Sequence, residues 1–297
     1  MTKNIFTLNS HSGDTIKLTA IHGQRRIVKT SKTQKERLKI CANIQINEAK
    51  KTKQLFKISA VPILQIEETA VHCRVTMPYM RGMSGQNVYL YLTPNEISSI
   101  SQNLNNYVLH NLAQCKNGYS VDEFKDLVNK KIHDIQIGIA KNQNYTLSPS
   151  LNIIVLSEVS KIINQITNKC PVGKCHGDLT FSNIIYDRSN NQIWLIDYLD
   201  SFIKTPYIDL AKLVQEYRHT WSARYLQPTI QKNATLAGLK SIKSLTERHG
   251  PLDPKYLKVF SILNLYRIAP YIRDQATHNW LEKSLIREIE CKYLSPE

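Results

Sequence analysis

Three side chains in the middle of the chain have the types and the spacing that phosphoryl transfer requires. Asp178 and Asn183 lie five residues apart in the segment HGDLTFSN, and Asp197 ends the segment IWLID. Transfer of a phosphoryl group from a nucleotide needs a carboxylate that orients the attacking hydroxyl, and oxygen ligands that hold Mg²⁺ across the phosphates. The first segment is too polar for a core strand, which predicts a loop that presents Asp178 and Asn183.

The apolar runs on either side of residues 187–191 predict a hairpin. Residues 184–186 and 193–196 are apolar, and the sequence DRSNN between them is typical of a turn. The hairpin would bring Asp197 back beside Asn183, and a carboxylate after four apolar residues is explained by a hard cation. The alternative interpretation is an ordinary hairpin with polar turn residues.

The pattern H-G-D-x-x-x-x-N, followed by an apolar strand that ends in Asp, resembles the aminoglycoside phosphotransferase and choline kinase-like family. This resemblance implies an α+β, bilobal protein-kinase-like fold with a small antiparallel-sheet N-lobe and a larger, mainly helical C-lobe. It implies that Asp178 is the catalytic base and that Asn183 and Asp197 are the Mg²⁺ ligands. Asp209, in YIDLA, matches the aspartate that supports the catalytic loop in this family.

The resemblance also predicts nucleotide-binding positions in the first 82 residues. Ser12 and Gly13 lie where the family has a small-residue turn over the phosphates, although this chain lacks G-x-G-x-x-G. Backbone amides of a short loop would have to bind the phosphates instead. Met77 and Tyr79, in MPYMRG, lie where the family's hinge meets adenine through backbone groups, although a methionine is equally suited to filling a core.

A lysine on the second strand of the predicted N-lobe fits the family's ligand for the α- and β-phosphates. Lys29 ends an apolar run, whereas the competing Lys32 lies past it. In a chain this basic, a solvated charge is the alternative interpretation of Lys29. Its acidic partner is predicted on the following helix as Glu48, with Gln45 and Glu36 as other candidates.

Hydrophobic patterning predicts the strands and the helix that would position these residues. Alternation predicts strands at 15–21 and 26–30, near-helical spacing predicts a helix over 35–57, and apolar segments at 61–66 and 71–77 predict two more strands. Strand, strand, helix, strand, strand is typical of a small antiparallel-sheet lobe.

Beyond this lobe the patterning becomes helical. Capping boxes at 93–96 and 120–123 each precede an apolar face, a further helix covers 154–166, and the chain is mostly helical from Asp209, with a stop at 250–251. A boundary near residues 81–92 therefore predicts a nucleotide-binding N-lobe at 1–82 and a helical C-lobe at 83–297, which carries the catalytic loop and the acceptor site.

Composition limits the classes of protein and of partner. The chain has 297 residues and a formal net charge of 39 − 24 = +15, which calls for an anionic partner such as a nucleotide. Six scattered cysteines without a C-x-x-C pair, no signal-peptide pattern and no apolar run of about 20 residues predict a cytoplasmic protein without a membrane span.

These observations predict a small-molecule kinase that uses ATP or GTP with Mg²⁺. The acceptor would be a hydroxyl-bearing compound such as a sugar, an amino alcohol or an aminoglycoside, and the basic composition favours a neutral or anionic one. Glycine in H-G-D, where protein kinases usually have arginine, favours this branch over a protein serine/threonine kinase-like enzyme. A non-catalytic protein that binds nucleotide or nucleic acid through its basic surface is the alternative from another class.

Overall fold

The structure, a computed structural model, describes residues 2–9, 13–50, 55–142, 145–247 and 252–291. The strands are β1 (Thr2–Asn9), β2 (Thr15–Ile21), β3 (Gln24–Ser31), β4 (Ile58–Ala60), β5 (Gln65–Glu68), β6 (Cys73–Pro78), β7 (Asn117–Tyr119), β8 (Cys170–Val172), β9 (Ile184–Asp187) and β10 (Gln192–Leu195). The helices are α1 (Lys35–Ala49), α2 (Gln86–Tyr91), α3 (Pro94–Ala113), α4 (Val121–Lys141), α5 (Pro149–Asn164), α6 (Pro206–Tyr217), α7 (Pro228–Glu247), α8 (Pro254–Tyr266) and α9 (Gln275–Glu290).

The chain divides into two compact units. The first consists of Met1–Ser84 and Ser182–Asp200, and the second of Gly85–Phe181 and Ser201–Glu297. The α+β class is confirmed, since the first unit is rich in antiparallel strands and the second is mainly helical. Within the described residues, no helix combines the length and the apolar character needed to cross a membrane.

A five-stranded antiparallel sheet in the order β1-β2-β3-β6-β5 forms the larger part of the first unit. Leu38 and Ala42 of α1 pack in one core cluster with Val75 and Met77 of β6. The predicted strands at 15–21, 26–30 and 71–77 are confirmed as β2, β3 and β6, and the predicted helix is confirmed as α1, although it ends at Ala49 and not at residue 57. The strand predicted at 61–66 is mostly wrong: residues 61–64 are outside any strand, where Pro62 has no amide to donate, and β5 begins at Gln65. Strand β1 was not predicted from the sequence.

A second, three-stranded sheet in the order β4-β10-β9 completes the first unit. Leu195 of β10 pairs with Ile184 of β9 in the predicted antiparallel hairpin, and Ile193 pairs in parallel with Ile58 of β4. The hairpin therefore belongs to the first unit, whereas the sequence-based division assigned it to residues 83–297. The physical reason is the backbone pairing with β4, a three-residue strand that the sequence analysis also missed.

Both predicted capping boxes are present in the second unit. At the start of α3, Thr93 Oγ1 accepts a hydrogen bond from the Glu96 amide, and Glu96 Oε2 accepts one from the Thr93 amide. Ser120 and Glu123 make the same reciprocal pair at the start of α4. These contacts satisfy amides that a helix N-terminus otherwise leaves unpaired. The predicted stop at 250–251 lies outside the described residues.

Helix α6 is buried along its whole length and organises the second unit. It packs against α3 and α8, and the Tyr217 hydroxyl donates to the Ser101 carbonyl of α3 at 3.3 Å. Asp209, Lys212 and Glu216 follow one another at intervals of three and four residues, so they lie on one face of this helix. Charged residues on a buried helix need partners, and these partners define the site described below.

His219 is a buried histidine that contacts the carboxylate of Glu288. Its Nε2 lies 2.9 Å from Glu288 Oε2, and Arg218 Nη1 lies 3.0 Å from the same oxygen. Burial lowers the pKa of His219, although the hydrogen bond and the charge of Glu288 oppose this shift. A histidine with a folded-state pKa below its unfolded value takes up a proton on unfolding, so the free energy of unfolding falls as the pH drops below about 6.5.

We therefore expect the thermal midpoint of the protein to decrease from about pH 7 to about pH 5.5, and His219→Gln to show a weaker decrease over that interval. Thermal unfolding followed by circular dichroism at several pH values measures both slopes. Equal slopes in the two proteins would contradict the assignment to His219.

Candidate active site

An ion pair in the first unit joins the predicted phosphate-binding lysine to the predicted metal ligand. Lys29 Nζ lies 3.2 Å from Asp197 Oδ1, across 168 positions of the chain, and 3.8 Å from Asp14 Oδ2. The Lys29 side chain is only 15% exposed, which excludes the interpretation of Lys29 as a solvated surface charge. Asp14, which the sequence analysis did not select, is a buried third member of this cluster.

Backbone contacts hold Asp197 in an unusual conformation. Its φ is +58°, in the left-handed region that non-glycine residues rarely adopt. The Asp197 amide donates to Gln45 Oε1 at 3.2 Å, and Gln45 Nε2 donates to the Val61 carbonyl at 2.8 Å. Gln45 is buried on α1. Its side chain, a candidate partner of Lys29 in the sequence, therefore fixes the backbone of Asp197. Strained backbone at such a position is common at functional sites.

Asn183 and Asp197 lie at the same end of the β9–β10 hairpin. Asn183 immediately precedes β9, and its carbonyl accepts a hydrogen bond from the Ile196 amide at 3.1 Å. The side chain of Asp197 is 33% exposed, and Asn183 is half-buried. An amide oxygen and a partly exposed carboxylate oxygen fit a hard cation such as Mg²⁺, which keeps several waters in its coordination shell.

The remaining predicted nucleotide-binding residues lie in the same unit, and their roles stay predictions. Gly13 has φ +82°, a conformation that favours glycine, whereas Ser12 lies outside the described residues. The Met77 side chain is buried in the core, so it would meet adenine through its backbone. The Tyr79 amide already donates to the Arg25 carbonyl, and its ring is exposed. Glu48 is on α1, one turn after Gln45.

The predicted catalytic loop is held by Asp209 within the second unit. The amides of His176 and Gly177 donate to the two carboxylate oxygens of Asp209 at 2.6 and 2.8 Å. Gly177 has φ +86°, which a side chain would strain. Burial raises the pKa of Asp209 to about 7, while the two amide donors favour its ionised form. This geometry agrees with the supporting role that the family resemblance implies for Asp209.

Two cations contact the predicted catalytic base. Lys212 Nζ lies 2.6 Å and Arg267 Nη2 lies 3.1 Å from Oδ1 of Asp178. Burial alone would raise the pKa of Asp178, but the charges of Lys212 and Arg267 outweigh it and hold this pKa well below its usual range. Burial lowers the pKa of Lys212 to about 8. Asp178 is therefore an ionised carboxylate at neutral pH, ready to accept a hydrogen bond from a hydroxyl group.

Three charged residues that surround this loop were not predicted from the sequence. Lys212 and Glu216 follow Asp209 on one face of α6, and that periodicity was a usable signal in the sequence. Glu216 Oε1 accepts hydrogen bonds from the Phe181 amide and the Ser222 hydroxyl. Arg267 follows the end of α8, 89 positions from Asp178, and no local pattern in the sequence predicts its approach.

A family model matches the part of the chain that carries the motif. The model of the phosphotransferase enzyme family matches residues 146–243, a span that includes Asp178, Asn183, Asp197 and Asp209. No curated protein sequence matches the chain.

Solved structures share the fold over nearly the whole chain. The apo form of a thermostable mutant of aminoglycoside phosphotransferase APH(4)-Ia has a TM-score of 0.61 and 10% identity, covering 97% of this chain and 94% of that chain. An aminoglycoside-3'-phosphotransferase of type VIII has a TM-score of 0.58 and 12% identity, with coverages of 89% and 93%. A putative fructosamine-3-kinase from Haemophilus somnus has a TM-score of 0.55 and 12% identity, with coverages of 96% and 91%.

At such low identity these structures establish the fold, while the family match covers the segment that carries the motif. Both findings confirm the resemblance that the motif H-G-D-x-x-x-x-N carries and support a phosphotransferase: residues 146–243 match the phosphotransferase enzyme family, and the chain shares the fold of the aminoglycoside phosphotransferases and of the fructosamine kinase.

Proposed function

We propose that this protein transfers the γ-phosphate of ATP or GTP to a hydroxyl group of a small molecule, in the class of sugars, amino alcohols and aminoglycosides. The observation that carries the proposal is the ion pair between Lys29 and Asp197, which joins two motif residues far apart in sequence. A structure of APH(4)-Ia in a ternary complex with AMP-PNP and hygromycin B shares the fold with a TM-score of 0.63 and 9% identity, covering 97% of this chain and 94% of that chain. This likeness favours a nucleotide donor.

The first unit would bind the donor. Lys29 would neutralise the α- and β-phosphates, and the turn at Gly13 would offer backbone amides to them. Asn183 and Asp197 would hold Mg²⁺, and the bound ion would neutralise part of the negative charge on the phosphates. Gln45 supports this arrangement because its side chain fixes the backbone amide of Asp197.

The second unit would supply the base. Asp178 accepts a hydrogen bond from the acceptor hydroxyl and orients its oxygen toward the γ-phosphorus. The new bond forms between this oxygen and phosphorus while the bond from phosphorus to the bridging oxygen of the nucleotide breaks. The hydroxyl proton passes to Asp178 and then to solvent, and the products are a phosphate monoester and a nucleoside diphosphate.

The short connection after Asp197 favours a small-molecule kinase over a protein kinase-like enzyme. Helix α6 begins at Pro206, so few residues separate it from Asp197, the proposed metal ligand. Protein kinases place a long activation segment at this point, which orders their peptide-binding surface. This chain has no room for such a segment there.

Mg²⁺-dependent turnover against a panel of acceptors tests the proposal. The purified protein is incubated with ATP or GTP and with sugars, amino alcohols and aminoglycosides, in the presence of Mg²⁺ or of a chelator. We expect a phosphorylated product, detected by mass spectrometry, that disappears with the chelator. Absence of turnover on every acceptor, together with tight and salt-sensitive binding of RNA or DNA, would refute the proposal in favour of nucleic-acid binding.

A further inference from the structure

Two cations contact a single oxygen of the Asp178 carboxylate. Lys212 and Arg267 both approach the same oxygen, Oδ1, at 2.6 and 3.1 Å. Two further carboxylates lie on the same face of α6, where Asp209 accepts hydrogen bonds from two loop amides and Glu216 accepts one from the Phe181 amide. Two like charges that converge on one oxygen repel each other, so an anionic group that draws Arg267 away from Asp178 would relieve this repulsion.

The two cations differ in accessibility. The Lys212 side chain is 3% exposed and the Arg267 side chain is 36% exposed. Lys212 is therefore committed to the buried contact with Asp178, whereas Arg267 faces solvent and can change its partner.

Arg267 also has a donor that the protein leaves unused. Its Nε is buried and makes no hydrogen bond with any of the described residues. A buried N–H without an acceptor is unfavourable, and a ligand that supplies an oxygen atom removes this penalty. The planar guanidinium presents Nε and Nη2 side by side, which matches two oxygens of a phosphate or a carboxylate.

A base of low pKa needs a means of gaining basicity during the reaction. Opposite charges stabilise the ionised carboxylate and therefore weaken it as a proton acceptor. An anionic group that takes the donors of Arg267 would remove one of the two cations from Asp178. Binding of the acceptor would then both position its hydroxyl group and restore part of the basicity of Asp178.

We propose that the acceptor is a hydroxyl compound that also carries an anionic oxygen group, a phosphate or a carboxylate, and that Arg267 binds this group while Lys212 remains on Asp178. The inference rests on the proposed kinase function and narrows its substrate class. It excludes polycationic aminoglycosides as the preferred acceptors. The hydroxyl proton still passes to Asp178, and the bonds to phosphorus form and break as described above.

Matched acceptors of different charge test this inference. Glucose is compared with glucose 6-phosphate and glucuronate, ribose with ribose 5-phosphate, and glycerol with glycerol 3-phosphate and glycerate, with kanamycin as the cationic acceptor. The value of kcat/KM for each is measured with MgATP. We expect the wild-type protein to prefer an anionic member over its neutral counterpart by about 10-fold or more. The phosphate and carboxylate members distinguish the two sources of negative charge.

Variants of Arg267 connect this preference to the guanidinium. Arg267→Gln should lower the ratio of anionic to neutral kcat/KM by about 10- to 100-fold, mainly through the KM of the anionic member, because a charge-assisted contact is lost. Arg267→Lys should keep part of the preference, since the charge remains without the planar fork. The matched control is Arg273→Gln, an exposed arginine of the same unit, which should leave the ratio unchanged. Thermal unfolding of each variant shows whether it is folded.

Several outcomes would overturn the inference. If the wild-type protein has a kcat/KM for kanamycin or for the neutral acceptors that equals its kcat/KM for the anionic ones, the proposed substrate class is refuted. The kinase function would not be affected by that result. If Arg267→Gln lowers kcat/KM equally for neutral and anionic acceptors, Arg267 acts on the transferred phosphoryl group or on Asp178 alone, and it does not bind an anionic group of the acceptor. Failure to bind MgATP and to phosphorylate any member refutes the kinase function and the inference together.

Discussion

Replacement of Asp178 by asparagine is expected to lower kcat/KM by about 10²- to 10⁴-fold while the affinity for nucleotide stays close to that of the wild type. Asparagine keeps an oxygen toward Lys212 and Arg267 but cannot accept the proton of the acceptor hydroxyl. Asp178 belongs to the second unit and the nucleotide ligands to the first, so we expect the loss in kcat, not in nucleotide binding. Steady-state kinetics and a fluorescent-nucleotide titration measure the two quantities separately.

The matched control for this variant is Asp134→Asn, an exposed aspartate on α4 of the same unit. It changes the net charge by the same amount away from the loop and should retain wild-type turnover. Full turnover in Asp178→Asn would refute the assignment of the base even if the kinase activity itself is real. A loss of turnover in the control would show that net charge, not the loop, controls the rate.

Replacement of Asp197 by asparagine is expected to have the second large effect, on the binding of Mg²⁺ and of the nucleotide donor. We expect kcat/KM to fall by at least about 100-fold, because loss of a residue that only orients a metal ligand already costs about 10- to 100-fold. The variant should also lose most of the dependence of nucleotide affinity on Mg²⁺. Nucleotide titrations with Mg²⁺ and with a chelator measure this dependence without reference to turnover.

Asp187→Asn is the control within the same hairpin. Asp187 lies at the other end of β9, where its carboxylate accepts hydrogen bonds from Ser189 and Asn190 in the turn. Its replacement tests whether a change of hairpin stability alone disturbs the site. We expect the dependence of nucleotide affinity on Mg²⁺ to equal that of the wild type. An unchanged Mg²⁺ dependence in Asp197→Asn would contradict the metal-ligand assignment.

The sequence contained enough information to predict the local elements that carry the site. The hairpin of β9 and β10 follows from two apolar runs around a turn sequence, and the helices α3 and α4 follow from capping boxes that both make the expected contacts. These features depend on neighbours within a few positions of the chain, so local patterns suffice to predict them.

The missed elements depend on distant partners or lack the usual pattern. Strand β1 has exposed Ile5 and Phe6 side by side at the edge of its sheet and therefore lacks the alternation of a half-buried strand. The contact of Gln45 with Asp197 and that of Arg267 with Asp178 join elements far apart in sequence. Such contacts follow from the tertiary arrangement, which composition and periodicity do not specify.

The parallel pairing of β4 with β10 imposes an order on biosynthesis. β4 has emerged from the ribosome long before residues 192–196. Residues 192–195 supply its partner strand, and Trp194 and Ile196 supply part of the core beside Val61. Translation of residues 61–195 takes roughly 7–27 s at about 5–20 residues per second. During that time the edge of β4 lacks its pairing with β10, and the apolar side chains near it lack their contacts with Trp194 and Ile196. The nascent N-terminal segment is thus an expected client of chaperones, and a fragment that ends near residue 84 should aggregate when it is expressed alone.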